Sequence, residues 1–475
     1  MRKRVIWIVG LAGILLLAAY FIAGAMIRKK VDAALQALPP SLRVSYTALQ
    51  SSLLTGSMSL DGVSVRLMRD GHAYEAVVDR VSFEGIHFFE LMRTHRLLLR
   101  RLRVEGIKAT EEKMHLSLEG SVELDSVYSM EAGKADSSLD AGKVGFGELR
   151  LRISRLRCRI PEADEAVHLV NMELDSKNRT LRLDTLRLIP LLDREQMGKK
   201  NGHQMDVWEA TSEGIAVDGL DIMGLREQRV TAETIAVHKN VIRVFRDRRL
   251  PLEPGVKPLP MESLRALPVA LRIHTVRIGP TNFTYEELPK DGGEQGTLKI
   301  YRMTATLQPL INHPAAEDPA YLTLTTDGSL MNSGTVRATT RIPLHKDEPY
   351  RVDGAFHDLD VTRLNNPAEN LGKLHLESGM LNLLDFHFEM SREWATGQVD
   401  GRYHELVVQK LRKNGKEDKF KSFALKHFII PKNKEKATGK VNYKRDPERY
   451  FSYYLLHSLL VGVKSSFSLG FLLPG

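Results

Sequence analysis

The sequence predicts a mainly β chain: an N-terminal transmembrane helix, then an elongated, curved antiparallel β-sheet, groove or sandwich-like, with few helices and a hydrophobic C-terminal helix. Three observations predict it. Residues 5–27 carry no charge, apolar and polar residues alternate from residue 42 almost to the end, and one apolar spacing recurs that alternation alone does not explain.

The uncharged run is long enough to cross a hydrocarbon core of about 30 Å as a helix. Val5, Trp7, Leu15, Leu16, Leu17, Phe21 and Ile27 are its lipid-facing candidates, and basic triplets flank it at both ends. A cleaved signal peptide is the alternative, since Ala23-Gly24-Ala25 has the small-x-small form. The run exceeds a usual signal core and ends in a basic stop, which argues for an uncleaved anchor. The α-amino group and Asp32 tilt the charge balance towards a cytoplasmic N-terminus. In a bacterium the remaining chain then lies in the periplasm, held by a single pass through the inner membrane.

Charge and cysteine usage exclude other classes. The net charge is +9, but the two flanks supply six of those charges, so the body is nearly balanced. Nucleic acid is therefore not an expected partner. A single cysteine, Cys158, excludes a disulfide framework and multi-cysteine metal sites.

After Pro39-Pro40 stops any helical continuation, Leu42-Arg43-Val44-Ser45-Tyr46 begins the strand pattern. Nine times the apolar residues fall at i, i+2, i+5 and i+7, as in Met58/Leu60/Val63/Val65, Leu102/Val104/Ile107/Ala109 and Leu381/Leu383/Phe386/Phe388. A step of three reverses the face of a regular strand, whereas one inserted residue restores it. Asp61-Gly62, Glu84-Gly85, Glu105-Gly106 and Asp218-Gly219 stand at four of these breaks. Acid–glycine pairs suit either a bulge or a two-residue hairpin turn, and both readings stay open here.

Four helices are expected besides the anchor, at 88–96, 261–266, 360–369 and from 446 onward. Polar or proline-rich joints are expected at 129–143, 198–204 and 248–260. The domain reading is 1–30, cytoplasmic stub and anchor; 31–250, an N-terminal β region; 251–445, a C-terminal β region; and 446–475, a hydrophobic end, with a soft boundary near 250–268. In the last segment Tyr450, Phe451, Tyr454, Leu455, Leu459 and Leu460 form an apolar surface. It either caps the sheet or docks a membrane or an envelope protein.

No catalytic fingerprint is present, so an enzyme, a cofactor and a metal site are not expected. Asp385, His387 and Glu389 alternate with Phe386, Phe388 and Met390, which makes the polar trio the solvated side of a half-buried strand. Glu286-Glu287 and the cluster of His357, Asp358 and Asp360 are discounted as loop or opposed strand acids. The apolar phase needs a cover, from a second sheet or from lipid tails. Its candidate groove lining is Leu271, Ile273, Met303, Leu307, Leu322 and Leu324, continued by Leu381, Leu383, Phe386, Phe388 and Met390.

Several phrases resemble the AsmA-like superfamily, in the style of its shorter members. They include Gly56-Ser57-Met58-Ser59-Leu60-Asp61-Gly62-Val63, Val244-Phe245-Arg246-Asp247, Lys257-Pro258-Leu259-Pro260, Asn282-Phe283-Thr284-Tyr285-Glu286-Glu287 and Ser378-Gly379-Met380-Leu381. The resemblance implies two AsmA-like β regions behind an inner-membrane anchor, and a bent sheet whose apolar trough binds or channels phospholipid acyl chains for envelope maintenance and outer-membrane biogenesis. The other reading is a non-enzymatic envelope scaffold with a closed core.

Overall fold

The computed structural model describes residues 32, 35–36, 38–52, 55–69, 72–87, 98–111, 115–129, 144–160, 163–413, 423–427 and 432–467. Val5, Trp7, Leu15, Leu16, Leu17, Phe21 and Ile27, the helix expected at 88–96 and most of the loop expected at 129–143 lie outside these residues. Among the described residues no helix is long and apolar enough to cross a membrane. The chain divides into two units, Met1–Leu188 with Ile215–Ile222, and Ile189–Gly214 with Met223–Gly475. The expected boundary near 250–268 falls inside the second.

In the first unit β1 (Leu42–Ser45) and β2 (Ala48–Ser52) lie end to end along β3 (Ser57–Arg69). Antiparallel pairing then runs through β4 (His72–Glu84), β5 (Leu98–Glu111), β6 (Leu116–Ser129), β8 (Glu148–Ile160) and β9 (Glu165–Asp175), with the short β7 (Val144–Gly145) also on β6. β10 (Thr180–Pro190) pairs with β9.

The recurring step of three leaves the apolar side unbroken. Met58, Leu60, Val63 and Val65 are all buried in one core with Val81, Phe83, Leu102, Val104 and Ile107. Gly62, at φ +58°, separates the first two pairs. β3 keeps the same register with β4 on both sides of it, Asp61 opposite Arg80 and Val63 opposite Val78, so both strands turn together. Around Gly106, at φ +66°, the register with β6 shifts between Val104 and Ile107, which is a bulge. Both pairs lie inside strands. Gly85 and Gly219 also have positive φ and follow the last residues of β4 and of β11 (Asp206–Asp218), where neither joins two strands as a two-residue turn.

A Cβ on Gly106 would sit 2.0 Å from Asp79 Oδ2. Gly106→Ala adds that clash to a left-handed backbone and is expected to destabilise the protein by about 1–3 kcal/mol. Equilibrium denaturation checks it against Gly372→Ala, where nothing lies within 4 Å of the new methyl. Equal midpoints would contradict the strain argument.

The second unit continues from β11 with β12 (Arg229–Asp247), β13 (Ala270–Leu288), β14 (Gly296–Gln308), β15 (Leu310–Ile311), β16 (Tyr321–Leu330) and β17 (Gly334–Pro343). It ends with β18 (Tyr350–Asp360), β19 (Leu374–Met390), β20 (Trp394–Lys413), β21 (Phe423–His427) and β22 (Lys434–Lys444). From β13 onward the pairing is antiparallel. The expectation of an antiparallel sheet fails where β12 and β13 run parallel, from Arg229 opposite Ala270 to Asp247 opposite Leu288. A parallel pair needs a long return connection. Residues 248–269 supply it, so the proline-rich joint is a crossover between neighbouring strands.

The described helices are few. Pro260–Arg265 lies in the crossover, the turn Val361–Leu364 leads into helix Asn365–Gly372, and Phe451–Ser466 follows β22. Helix Arg194–Asn201 occupies part of the expected joint at 198–204. Its ends are written in the sequence: the Asp193 side chain accepts from the Glu195 amide at 3.0 Å, and Gly202 closes it at φ +75°. Its interior is polar apart from Met197, so no apolar period announced it.

Candidate functional site

The apolar face of the second unit can be followed strand by strand, because cross-strand partners share a face. Leu307 stands opposite Val276 on one side and Leu324 on the other. Leu322 stands opposite Ile342, Val352 opposite Phe388, and Phe386 opposite Val399. At the β17–β22 end this face is a closed core. Tyr350, Phe388, Met390, Ala395 and Val399 are at most 1% exposed, and the Phe356 and Phe386 rings pack at 5.7 Å. Towards β13 the cover thins, and Val276, Leu307 and Leu324 are half-buried.

Of the residues expected to line a groove, Ile273, Leu322, Leu381, Phe386, Phe388 and Met390 are buried, while Leu271, Met303, Leu307, Leu324 and Leu383 are half-buried. Leu383 needs a correction. The register between β19 and β20 shifts between Leu381 and Leu383, and Leu384 is buried with Phe386 instead. The step of three therefore runs from Leu381 to Leu384. Four apolar residues in a row, Met380 to Leu384 interrupted only by Asn382, hid the position of the bulge.

Helix Phe451–Ser466 covers the far end. Phe451 packs 5.2 Å from the Tyr350 ring, Tyr454 is fully buried with its hydroxyl donating to the Ser391 carbonyl, and Leu455 and Leu459 join the same core. Tyr450 and Leu460, with Leu456, are exposed. The helix approaches β22 through glycines. A Cβ on Gly439 would lie 2.2 Å from the Gly462 carbonyl oxygen, and one on Gly462 would lie 2.4 Å from Val399.

The opposite face is polar. His387 pairs with Asp353, Glu389 takes a 2.8 Å bond from Arg351, and Asp385 and His387 are exposed. Among the described residues no group of three or more His, Cys, Asp or Glu is placed to hold a metal ion. Asp360 caps the turn Val361–Leu364 through the Thr362 amide, and Cys158 is half-buried on β8.

A charged cluster that no single motif announces lies where β12 and β13 end. Arg246, 6% exposed, donates from Nε to Asp206 Oδ1 at 2.7 Å. Tyr285 donates to Glu287 Oε2 at 2.6 Å, and Arg248 donates to Glu287 Oε1 at 3.0 Å. Arg249 bridges Asp247 and Glu195, each at 2.7 Å. Lys257 pairs with Glu253, and Arg445 donates to the Lys257 carbonyl. Burial opposes the Arg246 charge, but the neighbouring carboxylates, Asp206 first, outweigh it and hold the guanidinium above its ordinary pKa. Burial, reinforced by the Glu287 charge, pushes the Tyr285 phenol far up. The buried Arg246, Asp247, Lys257 and Glu287 thus each face an opposite charge, the condition for tolerating them, whereas the buried Arg445 donates to a carbonyl. Glu286, discounted as a solvated acid, pairs with Arg194 at 2.5 Å, and Glu287 is buried.

The cluster gathers the phrases Val244–Asp247, Asn282–Glu287 and Lys257–Pro260 into one region. Parallel pairing is the reason, since it places the ends of β12 and β13 side by side and starts the crossover there. No protein-family model and no curated protein matches the chain.

Proposed function

We propose that the protein is an inner-membrane-anchored periplasmic envelope protein, of the kind its AsmA-like phrases imply, that binds or channels phospholipid acyl chains along the apolar face of its β body. The observation that carries this reading is the half-buried strip Val276, Leu307 and Leu324, continuous by register with the core of Leu322, Val352 and Phe388. Holding a tail there needs no chemistry. Each buried methylene contributes about 0.8 kcal/mol, and an unbroken apolar strip lets a tail slide at nearly constant energy. The reading assigns no reaction, cofactor or metal.

The test is mass spectrometry of lipid co-purifying with the full chain, combined with a photo-crosslinking residue at position 307. Stoichiometric phospholipid and acyl adducts at 307 are expected. Leu324→Glu is expected to lower bound lipid by more than half, because a charge beside a tail costs several kcal/mol. Folded protein free of lipid, with no adduct at 307, would sink the proposal. A scaffold with a closed core is the second reading, favoured by the terminal helix, which packs Phe451, Tyr454, Leu455 and Leu459 against the core. Its partner surface would be the outer side, at Leu456 and Leu460.

A further inference from the structure

A pocket of about 490 Å³ opens beside the charged cluster, between the start of β11, the crossover and the start of helix Phe451–Ser466. Its wall holds two carboxylates, Asp206 and Glu253, with Trp208, Tyr450 and His203, and none of its lining residues is Lys or Arg. Two of its aromatic side chains are open, Trp208 at 42% and Tyr450 at 39% exposure, while Phe451 is half-buried against Tyr350.

The balancing cations stand outside the lining. Arg246 binds Asp206 through Oδ1, and Lys257 and the Tyr450 hydroxyl bind Glu253 through Oε2. Among the described residues Asp206 Oδ2 and Glu253 Oε1 receive no hydrogen bond, so each carboxylate keeps an acceptor. The Tyr450 ring already has Arg246 and Lys257 against it, at 5.6 and 5.3 Å, whereas no cation–π contact among the described residues engages Trp208. Free acceptors of negative charge and an unoccupied indole face suit a positive ligand with apolar substituents. An anion would meet two carboxylates and no lining cation.

We propose that this pocket binds an alkylammonium group, with Trp208 supplying the π face and Asp206 and Glu253 the counter-charge. Such a group comes from the headgroup of a zwitterionic phospholipid or from a free amine. The proposal is independent of the acyl-chain reading, since choline carries no tail.

The full chain in maltoside micelles is titrated with choline, with its neutral isostere 3,3-dimethylbutanol, and with short-chain phosphatidylcholine and phosphatidylglycerol. Binding is read by calorimetry and by fluorescence in a Trp7→Phe, Trp394→Phe background, which leaves Trp208 as the one tryptophan. Saturable choline binding is expected, about tenfold tighter than the isostere, and Trp208→Leu is expected to weaken it about fivefold or more with the circular dichroism unchanged. Glu253→Gln, which keeps the acceptor shape, is expected to weaken it as well. If phosphatidylcholine binds well above choline and Trp208→Leu weakens both, the headgroup is the source, and equal affinities indicate a free amine; both support the site. The proposal is overturned if choline does not saturate, if the isostere binds as well as choline, or if Trp208→Leu leaves choline affinity unchanged; phosphatidylglycerol, which the apolar strip can hold by its tails, is the control whose binding Trp208→Leu should not alter.

Discussion

Gly439→Leu is expected to detach helix Phe451–Ser466 from the sheet. The new Cβ would lie 2.2 Å from the Gly462 carbonyl oxygen and 2.3 Å from the Ser466 amide nitrogen, both backbone atoms that cannot swing aside. Overpacking alone costs about 1–3 kcal/mol. Moving the helix away also uncovers Tyr454, Phe451 and their apolar neighbours, each worth about 1.5–3 kcal/mol when buried. A total loss above about 3 kcal/mol is therefore expected. Hydrogen exchange across 451–466 checks it, with protection falling there first while β3–β6 keep theirs. The control is Leu456→Ser on the exposed side, expected to change stability by less than about 0.5 kcal/mol. Unchanged protection in Gly439→Leu would mean the helix does not rest on the sheet as described.

Arg246→Met should be nearly as damaging, for an electrostatic reason. It removes the cation from Asp206 and from the vicinity of Glu287, leaving carboxylates in a partly desolvated site. Breaking a buried pair from one side typically costs about 3–5 kcal/mol. The double variant Arg246→Met with Asp206→Leu removes both charges and is expected to recover a substantial part of that loss. Urea denaturation of the two singles and the double gives the coupling directly. If the losses simply add, the pair is not coupled and the cluster is a set of independent surface contacts.

The bends at Gly62 and Gly106 were legible because each glycine follows an acid, and the apolar residues on either side kept a countable spacing. The helices at 260–265, 365–372 and 451–466 were legible from prolines, polar caps or bulk. The bulge in β19 was less so, since Leu383 and Leu384 are equally apolar and only pairing with β20 decides which is inside. Parallel pairing of β12 with β13 was invisible, because alternation gives a strand's faces but not the direction of its neighbour. The charged cluster was missed for the same reason. Arg246, Lys257 and Glu287 are ordinary charged residues in sequence, and only the crossover brings them together.

That crossover also orders the assembly of the second unit in time. Hairpins such as β16–β17 close short loops, so they can form early and independently. β12 and β13 cannot zip until residues 248–269 have looped back, and their pairing then seals a row from Arg229/Ala270 to Asp247/Leu288 at once. The joint is therefore the natural late step of folding and the weakest point while the chain is young. Val256, 70% exposed in the middle of the loop, marks where a protease would catch a chain that has not yet closed it.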